Sequence, residues 1–153
     1  MKNITLAGRL LFYTISLTLL SCNHSENNYL DQKDSISIIK ESLHHILDQK
    51  VLPKEYYTQP LQIIVPKNLQ QAEILISGKM CILLPINTDV KQLMKGMYIY
   101  KPITLIEVGD FKLHKKIIFI EFIFRATGHN FLLELKKDKS GRFKIMNVRE
   151  RTI

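Results

Sequence analysis

Four charged residues in the C-terminal half are the best candidates for chemistry, because they interrupt strand-like stretches that are otherwise apolar. They are Glu107, Glu121, Arg125 and Glu134. If these stretches form a curled sheet, a carboxylate and a guanidinium on its concave face can orient a small ligand. The alternative is a set of charge pairs between neighbouring strands on an exposed face, and we favour this interpretation.

A second cluster, Glu41, His44 and His45, has the spacing of metal ligands on one helix. Residues three and four apart on a helix are neighbours, so a carboxylate and an imidazole there can share an ion. Helix-based sites of this type take further ligands from other helices, and the sequence offers no second Glu-x-x-His motif. We therefore interpret the cluster as a solvated helix face, and we expect no metal and no cofactor.

The familiar catalytic signatures do not occur in the sequence. There is no GxSxG, P-loop, GxGxxG, HExxH or CxxC pattern, which argues against the common hydrolases, kinases, dehydrogenases and zinc sites. The sequence therefore favours a protein that binds without catalysis. A small enzyme or ligand-binding pocket is the alternative, since such a pocket needs only a few dispersed polar residues.

The N-terminus has the features of an export signal. Lys2 and Arg9 precede an apolar run at residues 10–20, which is too short for a membrane span of about 20 residues. A positive start followed by a short apolar run is typical of a secretory signal peptide.

The sequence LLSC at positions 19–22 resembles the lipobox of bacterial lipoproteins. The resemblance implies that residues 1–21 are removed and that Cys22 receives palmitate-type lipid, which anchors the protein in the bacterial cell envelope. Several acyl chains on one Cys hold a protein stably where a single chain does not. Asn23 follows Cys22, and by resemblance to the enteric sorting rule this predicts the outer membrane, facing the periplasm.

The net charge has to be interpreted together with this signal. The chain has 153 residues, with 22 Lys and Arg against 14 Asp and Glu, a formal charge of +8. Loss of Lys2 and Arg9 with the signal peptide lowers the charge to +6. Nucleic acid is not an expected partner outside the cytoplasm, whereas an anionic membrane surface attracts basic residues. Alternatively, lysines at turns and strand edges protect the sheet from aggregation.

If Cys22 carries lipid, Cys81 has no partner for an intrachain disulfide. It lies in the apolar run at residues 80–84, which predicts a buried and unreactive thiol.

The remaining pattern predicts a tether at residues 22–33 and one domain at 34–153. Apolar residues at helical spacing predict a helix from Asp34 or Ser35, one of which serves as its N-cap, to about residue 49. A short helix is expected at 89–95, ending at Gly96. Alternating and apolar stretches predict strands at residues 61–65, 74–76, 80–84, 98–108, 116–127, 131–137 and 142–149.

One hairpin allows a register to be predicted. A two-residue turn at Gly128 and His129 pairs Arg125 with Leu132 and Glu121 with Lys136, and places Arg125 diagonal to Glu134. The alternation also predicts an apolar inner face, which consists of Ile118, Ile120, Phe122, Phe124, Ala126, Phe131, Leu133 and Leu135. In the last strand, either Phe143 and Ile145 or Met146 and Val148 point inward.

Residues 115–148 resemble the last three strands of cystatin-like and NTF2-like domains. The resemblance implies an α+β fold in which the N-terminal helix packs on a curved antiparallel β-meander. Four tyrosines, Tyr56, Tyr57, Tyr98 and Tyr100, offer an aromatic surface for a protein partner. An inhibitor or immunity-type module is therefore a further alternative function.

Overall fold

A computed structural model describes residues 30–97, 104–109 and 111–152. The predicted signal peptide at 1–21, the lipidation residue Cys22 and most of the tether at 22–33 lie outside the described residues, as do Tyr98 and Tyr100. In the part of the chain that the structure describes, no helix is both long and apolar enough to cross a membrane.

The main helix, α1 (Gln32–Asp48), is the predicted amphipathic helix with an earlier start. Its N-cap is Asp31, whose carboxylate accepts a hydrogen bond from the backbone N–H of Asp34 at 2.6 Å. The prediction of Asp34 or Ser35 as the cap is therefore wrong, because Asp31 already satisfies one free N–H of the first turn. The buried stripe of α1 includes Ile38, Ile39, Leu43, Ile46 and Leu47.

The other elements follow α1 along the chain. The helical ones are α2 (Glu55–Thr58), a 3-10 helix (Lys67–Leu69) and α3 (Val90–Met97), which continues past Gly96. The strands are β1 (Gln62–Val65), β2 (Leu75–Ile76), β3 (Lys79–Met80), β4 (Ile82–Pro85), β5 (Leu105–Val108), β6 (Lys112–His114), β7 (Ile117–Phe124), β8 (His129–Lys137) and β9 (Phe143–Thr152).

Among the described residues, seven strands form one sheet in the order β4-β1-β5-β7-β8-β9, and β6 also pairs with β7. Strands β5 and β6 both pair with β7 along the same edge, and the Gly109 N–H continues the β5 register by donating to the carbonyl of Glu121 at 2.8 Å. Strands β2 and β3 form a separate hairpin.

The sheet is mixed, which corrects the expectation of a purely antiparallel sheet. Strand β1 pairs in parallel with both β4 and β5, whereas β5, β7, β8 and β9 pair antiparallel. Parallel neighbours need long crossover connections, and the β2–β3 hairpin lies in the connection from β1 to β4. The domain is therefore mixed α+β, mostly sheet, with one main helix.

The β7–β8 hairpin has a longer turn than predicted. Phe124 pairs with His129 across a four-residue turn, and Gly128 has the positive φ of 72° that such a turn needs at its last position. Glu121 consequently pairs with Leu132, and the predicted pairing of Arg125 with Leu132 is wrong. The register moves by an even number of residues, so the predicted inner face is nevertheless buried, apart from the exposed turn residue Ala126.

A bulge in strand β9 determines which of its side chains point toward the core. The register with β8 shifts between Glu134 and Leu135, and Met146 opposite this step is 59% exposed. One extra residue reverses the alternation along a strand. As a result Phe143, Ile145 and Val148 all contact the main core. The first predicted alternative, Phe143 and Ile145, is therefore confirmed, and the second holds for Val148 alone.

The core lies between α1 and the inner face of the sheet, which α1 contacts at β8 and β9. Phe124 joins two aromatic neighbours there, with ring centroids 5.4 Å from Tyr56 and 5.4 Å from Phe131. On the opposite face of the sheet, Val90 and Leu93 of α3 cover a small cluster around Ile64 and Leu105.

Candidate functional site

The predicted site residues lie on the face of the sheet opposite α1, which we call the outer face. Strands β5, β7 and β8 supply its half-buried side chains, and β9 contributes at the side. The outer face consists of Glu107, Phe119, Glu121, Ile123, Asn130, Leu132, Glu134, Asn147 and Arg149. Since α3 packs on the same side over Leu105, two residues before Glu107 on β5, the outer face begins beside α3.

Arg125 pairs with Glu107, not with Glu134 as predicted. The Arg125 Nε donates to Glu107 Oε2 at 2.8 Å, and its Nη2 contacts the same oxygen. Arg125 lies in the β7–β8 turn and not in β7. Its backbone N–H donates to the Leu105 carbonyl at 3.2 Å, so the side chain starts beside the first residue of β5 and reaches Glu107. The Arg125 side chain is 39% exposed, so the pair is partly solvated.

Glu121 is bound by an amide and not by Lys136. Asn130 Nδ2 donates to Glu121 Oε1 at 2.6 Å, while Lys136 pairs with Ile117 at the far end of β7. The other amide atom, Asn130 Oδ1, is buried and has no hydrogen-bond partner within the described residues. Gly109 lies against Glu121 on the other side, and its lack of a side chain leaves room there, since a Cβ at position 109 would lie 3.2 Å from the Cβ of Glu121.

Glu134 is held from β9. Arg149 Nη2 lies 3.0 Å and Asn147 Nδ2 lies 3.2 Å from the same oxygen, Glu134 Oε1. The predicted pairs of Glu121 with Lys136 and of Arg125 with Glu134 are therefore wrong. The ion pairs of this face instead join Arg125 to Glu107 and Arg149 to Glu134. Each of the three carboxylates has a donor on a neighbouring strand or turn, and apolar side chains lie between them.

This arrangement suits recognition. The carboxylates are held in place, so they can accept further hydrogen bonds without first losing conformational freedom, and Phe119, Ile123 and Leu132 supply apolar area between them. Interfaces combine an apolar centre with polar groups in this way.

The metal-like cluster on α1 does not form a site among the described residues. Glu41, His44 and His45 are all exposed on the side of α1 that faces away from the core. No group of three or more His, Cys, Asp or Glu side chains in the described ranges could hold a metal ion.

Cys81 is the buried thiol that the sequence predicts. It is 7% exposed within the core, and burial raises the pKa of the thiol to about 11. Little thiolate forms at neutral pH under these conditions, so the side chain is unsuited to nucleophilic chemistry.

The aromatic surface is not formed by Tyr56 and Tyr57. Tyr56 is 3% exposed and contacts Phe124, and burial raises the pKa of its hydroxyl. Tyr57 is half-buried, and its hydroxyl accepts a hydrogen bond from the backbone N–H of Leu52 at 3.1 Å. Both side chains support the fold.

One depression was not expected from the sequence. It has a volume of about 710 Å³ and lies between the start of α1 and the 3-10 helix, where its lining is rich in amides. The lining residues are Gln32, Lys67, Asn68, Gln70 and Gln71. The amide-rich run at 68–71 was the available signal, but nothing in the sequence places it beside Gln32.

Comparisons with protein-family models, with curated proteins and with solved structures found no match for this chain.

Proposed function

We propose that this protein is a lipid-anchored component of the bacterial cell envelope. The support is the lipobox-like sequence LLSC at 19–22, after a short apolar run with a positive start. Residues 1–21 act as the signal peptide and Cys22 carries the lipid. The protein then faces the periplasm from the outer membrane, because Asn23 follows the lipidated residue.

We further propose that the domain acts by binding a protein partner, without catalysis. The observation that carries this proposal is the outer face, where Glu107, Glu121 and Glu134 each accept a hydrogen bond from a neighbouring strand or turn. Carboxylates fixed in this way, with apolar side chains between them, present an ordered surface to a partner. An envelope inhibitor or immunity-type protein would use such a surface.

We also propose that the C-terminal half of the domain is cystatin-like or NTF2-like. Strands β5, β7, β8 and β9 with α1 against them resemble the antiparallel half of cystatin-like and NTF2-like domains. The parallel pairing of β1 with β4 and β5 departs from a simple meander, so the resemblance concerns the C-terminal half.

Metabolic labelling with palmitate tests the anchor. We expect label in the wild-type protein and in the control Cys81→Ala, and none in Cys22→Ala. A Cys22→Ala protein that still takes up label would contradict lipidation at this residue.

Site-specific photocrosslinking tests the binding surface. A photoreactive residue replaces Leu132 on the outer face, and the matched control replaces the exposed His45 on α1. We expect one discrete protein adduct in intact cells from position 132 and none from position 45. Equal or absent adducts at both positions would argue against the outer face.

A small-ligand pocket is the second candidate, and one observation favours it. Asn130 Oδ1 is buried beside Glu121 without a partner among the described residues, so it is an acceptor that a ligand hydroxyl or amine would satisfy on displacing the side chains that cover it. Native mass spectrometry of the protein from its own membranes tests this alternative. A small molecule that accompanies the wild type and is missing from Asn130→Ala would favour it over a protein partner.

A further inference from the structure

Two hairpin turns and the start of α1 meet at one end of the sheet. Ile117 of β7 pairs with Lys136 of β8, and Lys136 pairs with Lys144 of β9, so these three residues form one row across the sheet. The β6–β7 turn precedes this row directly, and the β8–β9 turn follows it. Both turns therefore project from the same end.

This end is strongly basic, and we call it the basic end. Its seven cationic side chains belong to residues that are all exposed. The basic end consists of Lys115, Lys116, Lys136, Lys137, Lys139, Arg142 and Lys144.

The carboxylates nearby already have donors. Asp138 accepts hydrogen bonds from the hydroxyl and the backbone N–H of Ser140 at 2.6 and 2.8 Å and from the N–H of Arg142 at 3.0 Å. The Ser140 hydroxyl in particular holds the pKa of Asp138 below its usual range. Asp34 pairs with Lys137 and Asp31 caps α1, so the three carboxylates compensate the seven cations only in part.

The chain that leads to Cys22 leaves from the same end. The Lys137 Nζ lies 2.8 Å from Asp34 Oδ2, which places the first turn of α1 beside the end of β8. Leu30 is eight residues after Cys22, and an extended chain of that length spans at most about 28 Å. A lipid on Cys22 therefore keeps the start of α1, and with it the basic end, within that distance of the membrane.

From this juxtaposition we infer that the basic end docks on the anionic headgroups of the membrane that holds the lipid. The inference rests on the proposed lipidation of Cys22. Each cationic side chain near an anionic membrane increases the affinity of the protein for that membrane about fivefold. The basic end therefore adds to the lipid anchor a second contact, which orients the domain. The outer face then stands roughly perpendicular to the membrane, open to a partner in the periplasm.

Protection of strand edges does not explain the two lysines of the β6–β7 turn. Lys115 and Lys116 have φ values of 47° and 68°, a conformation for which Asn and Gly are the favoured residues. They also lie in a turn, where no strand edge needs protection. Lysine there is explained by its charge.

Fluorescence quenching on the reconstituted full chain tests the inference. Single thiols, Lys139→Cys at the basic end and Ala126→Cys in the opposite turn, are labelled in a Cys81→Ala background. The vesicles contain a headgroup-linked quencher in phosphatidylcholine, with or without phosphatidylglycerol. Strand β8 spans about 30 Å between these ends, so we expect severalfold stronger quenching at 139 than at 126 in anionic vesicles. The difference should largely disappear without phosphatidylglycerol and in high salt.

Charge reversal supplies the matched comparison. The variant Lys115→Glu, Lys116→Glu, Lys144→Glu should lose the difference in quenching between positions 139 and 126. Three charge reversals weaken the binding of the basic end to the anionic membrane more than about a hundredfold. The control Lys50→Glu, Lys54→Glu, Arg151→Glu changes three exposed cations away from the basic end and should keep the difference in quenching. Arg151 pairs with Asn130 beside the opposite turn, and Lys50 and Lys54 follow the C-terminal end of α1, whose start lies at the basic end. Equal thermal melting of both variants confirms that they are folded.

The possible failures are distinguishable because the intact mass of the same sample reports lipid on residue 22. Lipidated protein with equal quenching at both positions, or with the same quenching in both kinds of vesicle, would overturn this inference alone. Protein without lipid at residue 22 would overturn the proposed function and this inference with it.

Discussion

Lys137 of β8 and Asp34 of α1 form an ion pair with 2.8 Å between Nζ and Oδ2, although 103 residues separate them. The pair joins the start of the main helix to the end of the sheet. Both side chains are accessible to water, at 48% and 25% exposure, so the pair determines position more than stability.

A double-mutant cycle of Lys137→Ala and Asp34→Ala should therefore give a coupling energy below about 1 kcal/mol in urea denaturation. Lys137→Ala alone should cost more than the coupling, because its Nζ also lies 5.3 Å from the Phe143 ring centroid. Lys136→Ala, at a neighbouring exposed lysine, is the control. A coupling well above this range would mean that the pair is effectively buried.

The adjacent residues Tyr56 and Tyr57 should respond in opposite directions to loss of the hydroxyl. The hydroxyl of Tyr56 is buried without a partner in the described residues, so Tyr56→Phe should raise the free energy of unfolding by about 1 kcal/mol. Tyr57→Phe removes the acceptor for the N–H of Leu52 and should lower it by a similar amount. Urea denaturation measures both, and a destabilised Tyr56→Phe protein would indicate an unseen partner such as buried water.

Replacing the two lysines of the β6–β7 turn should stabilise the fold and weaken the orientation of the domain on the membrane. Lys115→Asn with Lys116→Gly fits the positive φ values and should stabilise the fold by about 1 kcal/mol. The β2–β3 turn offers a matched control, because Gly78 has φ 75° and Gly78→Ala should destabilise the fold by a similar amount. Thermal melting tests both, and no gain from the lysine replacements would show that the turn is unstrained.

Cys81 should make the fold sensitive to alkali. Burial raises the pKa of the native thiol from 9.0 to about 11. The native state therefore holds this proton more tightly, and the associated stability, complete below pH 9.0, is lost as the pH rises through about 11. The difference between urea midpoints at about pH 8 and pH 10.5 should be smaller in Cys81→Ala than in the wild type. An unchanged difference would contradict a protonated, buried thiol.

The sequence predicts the elements of this fold better than their partners. The helix stripe around Ile39 and Leu43 and the inner face around Phe122 and Leu133 are buried as predicted, because alternation and helical spacing are local properties of the chain. The pairings of Glu121 and Arg125 were wrong, because they depend on the length of one turn. The sequence through Gly128 is compatible with turns of two or four residues.

What the sequence determined by itself is the amphipathic helix and the apolar inner face, since each is a pattern within neighbouring residues. Only the tertiary structure shows that β1 pairs in parallel with β4 and β5 and that β9 has a bulge at Met146, because both features depend on which strands become neighbours. It also decided that Lys137 meets Asp34, so that the turns of two hairpins and the start of the helix share one end. The seven lysine and arginine residues of that end all fall within residues 115–144, but only the pairing of the strands brings their side chains onto one surface.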